Sequence, residues 1–385
     1  MRALFLILSC CLGLALRGAE ARIWVDATIN GQRVRFAFDT GATDSILFRS
    51  TAERLKLKLI EPPPDFRPTA GLVSGPLTEP VDFAYGSWTG RSQFGVISIP
   101  SFADTAAEGL LSWYPLRHEV FIFDAAKQKL DIRDAVPESA LGWPKFKQRT
   151  DARILGFEVG GENSQHRSVY VDTGSEDGVT LHPSLWKKWL AIRTNQPVTV
   201  SAFFTPASGL LVKQEMWASE LSIGLLVLKD VPVREADVKE SWSSVPDYAA
   251  TLGLFALRRL DLVVDGTNGV VYARPRGDPA PAYPHNRLGA IFVPRDMQSD
   301  PLLAHVAPRS PAYLAGIRDN DVLLKIDDLD VTKWRTDPGV MPLSRFWVRP
   351  VGTALKLTLK RGEREYETRV VLKDILSSGV SKSPE

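Results

Sequence analysis

Cysteine is nearly absent from this chain of 385 residues: the two present, Cys10 and Cys11, are adjacent and close to the N-terminus. A chain processed after residue 21 keeps no thiol, which excludes disulfides, cysteine metal sites and thiol nucleophiles. Histidine is scarce too. His118, His166, His182, His285 and His305 show neither metal-ligand spacing nor an HExxH motif, so no metal site is expected and each reads as a surface or satisfied core residue. There is no P-loop, no GxSxG elbow and no GxGxxG following a strand. No cofactor is implied. An excess of one charge is also missing: 47 Lys and Arg against 45 Asp and Glu leave a net charge of +2. With no basic cluster interleaved with aromatics, nucleic acid is not the expected partner. Beyond residue 16 no apolar run approaches bilayer length, so no integral membrane segment is expected downstream.

What is present begins with a targeting pattern. Arg2 supplies a positive start, Ala3 to Leu16 an apolar stretch, and Ala19-Glu20-Ala21 a small-residue cleavage signature. Residues 1–21 are therefore expected to be a signal peptide and the product to be exported, periplasmic or extracellular. An alternative is lipid anchoring at Cys10 after Ile7-Leu8-Ser9, which leaves an unusually short apolar stretch. The remainder, with 44% hydrophobic and 24% charged residues overall, is globular in composition and long enough for two or three domains.

The chain repeats itself. "FAFDTGATDSIL" (36–47) and "SVYVDTGSEDGVTL" (168–181) are both apolar strands that stop at Asp-Thr-Gly, and each carries an Asp five positions later, Asp44 and Asp177. A single DTG is an ordinary turn; two in equivalent settings are not expected from composition. Further on, "LLSWYPLRHEVFIFDAAKQKLDIR" (110–133) aligns without gaps on "TLGLFALRRLDLVVDGTNGVVYAR" (251–274). In each, an apolar doublet precedes a small residue (Ser112, Gly253), then a short helix, a strand, a turn and a last strand. The lead-ins also match, each opening Arg-Ile and passing through an Asn-Gly or Gly-Gly-Glu-Asn turn before the DTG strand. The expected layout is a first β-rich lobe at 22–134, a linker at 135–150, a second lobe at 151–276, a Pro-rich linker at 277–286, a third unit at 287–374 and a tail at 375–385.

A DTG loop presents a carboxylate at the end of a rigid strand, and duplicated lobes can bring two such loops face to face. Two carboxyls at hydrogen-bonding distance share one proton, which leaves one base to activate water and one acid to polarise a carbonyl. At this point the chain resembles the pepsin/retropepsin-type aspartic proteases, with the D-T-G-[AS] loop and downstream apolar-apolar-Gly in two lobes between roughly residues 22 and 276. The resemblance implies a mainly β fold of two acid-protease-like β-barrel lobes, endopeptidase activity on protein or peptide substrates, and Asp39 with Asp172 as the catalytic dyad. It implies that Thr40 and Thr173 lock the loops, that Gly41 and Gly174 admit substrate backbone, and that each lobe carries a hairpin flap. The flap candidates are 69–80 and 203–214. One departure is Ser112 where the family has Gly, which adds bulk behind the catalytic loop and favours an alternative: a catalytically inactive bilobal protein that binds peptides. A second asymmetry follows each DTG. Ser175 is expected to support the ionised form of Asp172 with its hydroxyl, and Ala42 cannot do so for Asp39, which makes Asp172 the expected base.

The third unit, with "SPAYLAGIRDNDVLLKID" (310–327), resembles a PDZ domain of the type attached to bacterial proteases. By that resemblance Leu288, Gly289, Ala290 and Ile291 form a loop for the terminal carboxylate of a partner, whose C-terminus would add as a strand to the domain edge. Asn320 stands where a Gly is usual, a change that left-handed backbone tolerates.

Overall fold

Alternating burial in "QRVRFAFD" organises the first lobe. Val34, Phe36 and Phe38 point into one core while the strand Gln32–Asp39 pairs antiparallel with Trp24–Ile29. Their connection is the Asn30-Gly31 turn, both residues at positive φ (48° and 76°), as a two-residue hairpin demands. A computed structural model describes residues 22–63, 75–86, 88–98, 107–124, 127–150, 153–160, 165–193, 195–205, 209–237, 247–279, 281–296, 299–337 and 339–376; for 203, 204, 205 and 209 it gives backbone only. The expected signal peptide, the first half of the first flap candidate (69–74) and the end of the tail lie outside the described residues. Among the described residues no helix is long and apolar enough to cross a membrane.

The two lobes repeat one topology. In the first, Gln32–Asp39 runs parallel to Gly109–Ser112, which pairs antiparallel with Ile46–Phe48. In the second, Ser168–Val171 runs parallel to Tyr248–Leu252, which pairs antiparallel with Val179–Leu181. The expected short helices follow at Tyr114–Leu116 and Leu254–Leu257. Lobe one is a curled nine-stranded sheet and lobe two a seven-stranded one, ending on the long hairpin Thr199–Thr205/Gly209–Ile223.

A third sheet joins the lobes. Val120–Asp124 from the first half pairs antiparallel with Leu260–Asp265 from the second, so the last hairpin of each repeat contributes to one five-stranded sheet. A single apolar core runs through both halves, including Phe38, Phe121, Phe157, Val171 and Leu252. The segment 135–150, read as a linker, is partly ordered within this joint. Lys145–Lys147 pairs with Val270–Pro275, because Phe146 alternates between two lysines, is buried, and packs on Phe157 at 5.4 Å between ring centres. Trp186 and Trp189 stack at 5.4 Å, with Trp186 buried against the main core.

The C-terminal unit has its own core and a six-stranded sheet. Ser310 caps the helix Pro311–Leu314 by accepting from the Tyr313 amide at 3.2 Å, and Asn320 adopts φ 68°, the left-handed backbone its position calls for.

The joint between the lobes leaves no spare volume at Gly266. A Cβ there would lie 2.1 Å from the Arg117 carbonyl oxygen. Gly266→Ala is expected to destabilise the chain by about 1–3 kcal/mol through overpacking, read as a lowered urea midpoint with unchanged slope. An unchanged midpoint would mean that this contact is slack in solution.

Candidate active site

Each DTG loop begins where a buried parallel pair ends. Asp39 closes Gln32–Asp39 opposite Ser112, and Asp172 follows Val171, which lies opposite Leu252. Strand pairing therefore fixes where each carboxyl starts. The loops then bind one another reciprocally. Thr40 Oγ1 accepts from the Thr173 amide (3.1 Å) and donates to the Val171 carbonyl (2.7 Å). Thr173 Oγ1 accepts from the Thr40 amide (3.0 Å) and donates to the Phe38 carbonyl (2.7 Å). Both threonines are fully buried, so each hydroxyl satisfies one donor and one acceptor of the opposite lobe.

This lock brings the two aspartates to one interface. A Cβ at Gly41 would lie 2.6 Å from Asp172 Oδ1, and one at Gly174 would lie 2.5 Å from Asp39 Oδ2. Each carboxyl rests on the opposite loop where only glycine leaves room. Asp39 Oδ1 accepts from the amides of Gly41 (2.9 Å) and Ala42 (3.0 Å), while Asp172 Oδ1 accepts from the Gly174 amide (2.9 Å). The Asp172 carboxyl is pushed up to about 7, first by burial and then by the charge of Asp39; the Gly174 amide and the Arg22 guanidinium act in the opposite direction.

The hydrogen bonding around the two loops differs from the sequence expectation. Ser175 Oγ accepts from the Asp177 amide at 3.3 Å, two residues along its own loop, rather than supporting Asp172. Backbone amides, which sequence does not reveal, supply the asymmetry, and they favour charge on Asp39. Ser112 also differs from expectation. It is fully buried, yet its Oγ donates to the Ala42 carbonyl (2.7 Å) and its amide donates to Ser45 Oγ (3.1 Å). Lobe one uses the added hydroxyl to hold the Asp39 loop. At the equivalent Gly253 a Cβ would lie 2.3 Å from the Asp177 carbonyl oxygen, so the second lobe has no such room.

Two arginines were given no role from sequence. Arg153 of the second lobe pairs with Asp44 of the first at 2.9 Å. Arg22 of the first is buried, donates to the Gly174 carbonyl and lies 3.6 Å from Glu176 of the second. The signal was the shared Arg-Ile that opens both lead-ins; the carboxylate partners, offset by one position between lobes, obscured it. Beside the first loop lies a cleft of about 510 Å³, lined in part by Asp44, Trp88, Arg91, Ser112 and Arg153. Among the described residues no cluster of His, Cys, Asp and Glu is arranged to hold a metal.

The carboxylate loop inferred for the third unit is buried at Leu288, Ala290 and Ile291. The amides of Leu288 and Gly289 both donate to Asn286 Oδ1 at 3.0 Å. Of the first flap candidate, 75–80 is described, including the strand Leu77–Thr78. The second is a hairpin, with its tip 206–208 outside the described residues.

Residues 25–112 match a family model described as aspartyl protease. The match runs from the first strand to Ser112 and contains the Asp39 loop. Comparison with curated proteins returns no match. The mainly β architecture with its curled sheet is an acid-protease-like fold, and the first lobe is an aspartyl-protease-like domain, which supports a protease-like hydrolase function at a coarse level.

Two outcomes follow from this geometry. Thr40→Val preserves shape but removes a partner from the buried Thr173 amide and Val171 carbonyl, each costing about 1–3 kcal/mol. Urea unfolding is expected to show a loss of at least ~2 kcal/mol for Thr40→Val and a similar loss for Thr173→Val; losses near zero in both would mean that burial alone holds the lobes. The raised Asp172 also makes stability depend on pH. Between its ordinary value of 3.8 and about 7 the folded chain keeps a proton that the unfolded chain releases. Stability therefore falls as pH rises across that window. Thermal midpoints of Asp172→Asn measured across it should be flatter than those of the parent, and parallel curves would contradict the raised value.

Proposed function

We propose that the chain is an exported aspartic endopeptidase that hydrolyses peptide bonds through a shared Asp39/Asp172 dyad. The observation that carries this reading is the reciprocal threonine lock, which sets both carboxyls against each other's glycine. The N-terminal segment 1–21 supports export, and proteins or peptides are the substrates.

Asp39, with two amide donors on one oxygen, is the ionised member, and Asp172 holds the shared proton. Asp39 takes a proton from water while the water oxygen bonds to the peptide carbon. Asp172 gives its proton to the carbonyl oxygen, which produces a neutral diol. Asp39 then returns its proton to the amide nitrogen, the C–N bond breaks, and Asp172 recovers its proton as the carboxylic acid re-forms. No covalent intermediate with the protein is required. The rival reading, an inactive peptide-binding protein, drew on Ser112. The Ser112–Ala42 hydrogen bond removes that support, because the side chain fits and steadies the loop.

The test is incubation of purified protein with a mixed peptide library over pH 3–8, with and without a statine-type transition-state mimic. Cleavage blocked by the mimic supports the reading; its absence at every pH overturns it. Asp39→Asn and Asp172→Asn should each lower kcat/KM by at least ~100-fold, because the reaction needs both an acid and a base. Activity should decline as pH rises through about 7, when Asp172 loses its proton. A basic limb that is unchanged in position when Asp39 or its neighbours are altered, or activity retained in either single variant, would exclude a shared dyad.

A further inference from the structure

Two sheet edges meet outside the catalytic region. The strand Ala290–Pro294 ends the C-terminal sheet, and Thr199–Thr205 ends the sheet of lobe two. An uncovered edge is a row of unpaired backbone groups, a template for another strand. Here each edge covers the other, with Asn286 between them. Its Nδ2 donates to the Val200 carbonyl on one edge and to the Ala290 carbonyl on the other, both at 2.9 Å. Its Oδ1 accepts from the Leu288 and Gly289 amides. Two donors and two accepted hydrogens use the full capacity of the amide. Thr199 Oγ1 donates to the Asn286 carbonyl at 2.6 Å, and around this stitch Val200, Ile291 and Ala307 form a small buried apolar cluster.

The same hairpin is gripped a second time. Glu215, on its other strand, accepts from the Tyr283 hydroxyl at 2.6 Å, and both residues are buried. Tyr283 packs with Phe255, Ile375 and Leu376. The amides of Ile375 and Leu376 donate to Nε2 of buried His285, at 3.2 and 3.3 Å. Phe255 belongs to the helix that follows Gly253, so the grip extends to the element behind the Asp172 loop.

We propose that the edge and loop expected to receive a foreign peptide C-terminus are occupied by this chain's own lobe-two hairpin, and that the C-terminal unit braces this hairpin as a flap. The bracing of a flap rests on the peptidase reading; the occupation of the edge does not. Loop amides already committed to Asn286, and a loop packed so that a Cβ at Gly289 would lie 2.2 Å from Ser310 Cβ, leave no place for a terminal carboxylate while the edges are joined. Asn286 is thus a positioning residue. It holds two edges in register and touches no reacting atom.

Asn286→Asp separates its two roles, since a carboxylate still accepts from Leu288 and Gly289 but repels the Val200 and Ala290 carbonyls. In full-length protein, hydrogen–deuterium exchange over 199–205 and 210–215 should accelerate about tenfold, while the interlobe strand 120–124 keeps its protection. KM for a cleaved peptide should rise with kcat little changed. A Val200→Cys/Ile291→Cys pair placed in the Asn286→Asp chain and joined by a short cleavable thiol cross-linker should restore both protection and KM. Hairpin exchange that is unchanged in Asn286→Asp, and also in Val200→Asp should the first variant prove too mild, overturns the occupied edge. A cross-linked parent that loses hydrolysis and regains it on cleavage of the linker overturns the brace, because the edges would then have to part during turnover. If exchange behaves as expected and no form cleaves any peptide, the peptidase reading fails and the occupied edge stands.

Discussion

Four hydrogen bonds made by the Thr40 and Thr173 hydroxyls, two to each other's amides and two to the Val171 and Phe38 carbonyls, carry the rest of the molecule. They are buried, so no water replaces a lost partner, and each hydroxyl both donates and accepts across the lobe boundary. Every other feature of the candidate site presupposes them: the carboxyls seated on opposite glycines, the charge of one raising the proton affinity of the other, and the paired arginines reaching across at the periphery. Duplication supplies two similar loops, but only this exchange makes them a single site.

Within that symmetric frame the chemistry is asymmetric, and the cause is local. Asp39 receives two loop amides and Asp172 one, with Asp172 further raised by burial. Lobe one also tolerates a serine behind its loop, and lobe two does not tolerate even a methyl group there. In the proposed mechanism acid and base are thus distinguished by the backbone amides of each loop, not by the side chains that follow each DTG.

Much of this was legible in the sequence. The repeated DTG strands and their gapless downstream match predicted two equivalent lobes with Asp39 and Asp172 in corresponding places, because strand alternation and turn residues are local signals. Asn320 was readable for the same reason. What escaped depends on contacts distant in sequence. Lys145–Lys147 looked like linker because its partner strand lies more than a hundred residues on. The burial of Ile291 depends on Val200, and the role of Arg22 on Glu176. Sequence makes the Ser175 hydroxyl an expected donor to Asp172, whereas it accepts from the Asp177 amide; a hydroxyl has several possible partners and sequence does not rank them.

The central claim is one proton shared by two coupled carboxyls, and carboxyl-edited NMR of isotope-labelled protein addresses it directly. In the parent, one aspartate should titrate near 7. In Asp39→Asn that resonance should move down toward the ordinary carboxylate range, because the neighbouring charge that raised it is gone. A midpoint unchanged by the substitution, or two carboxyls that titrate independently in the parent, would contradict the account.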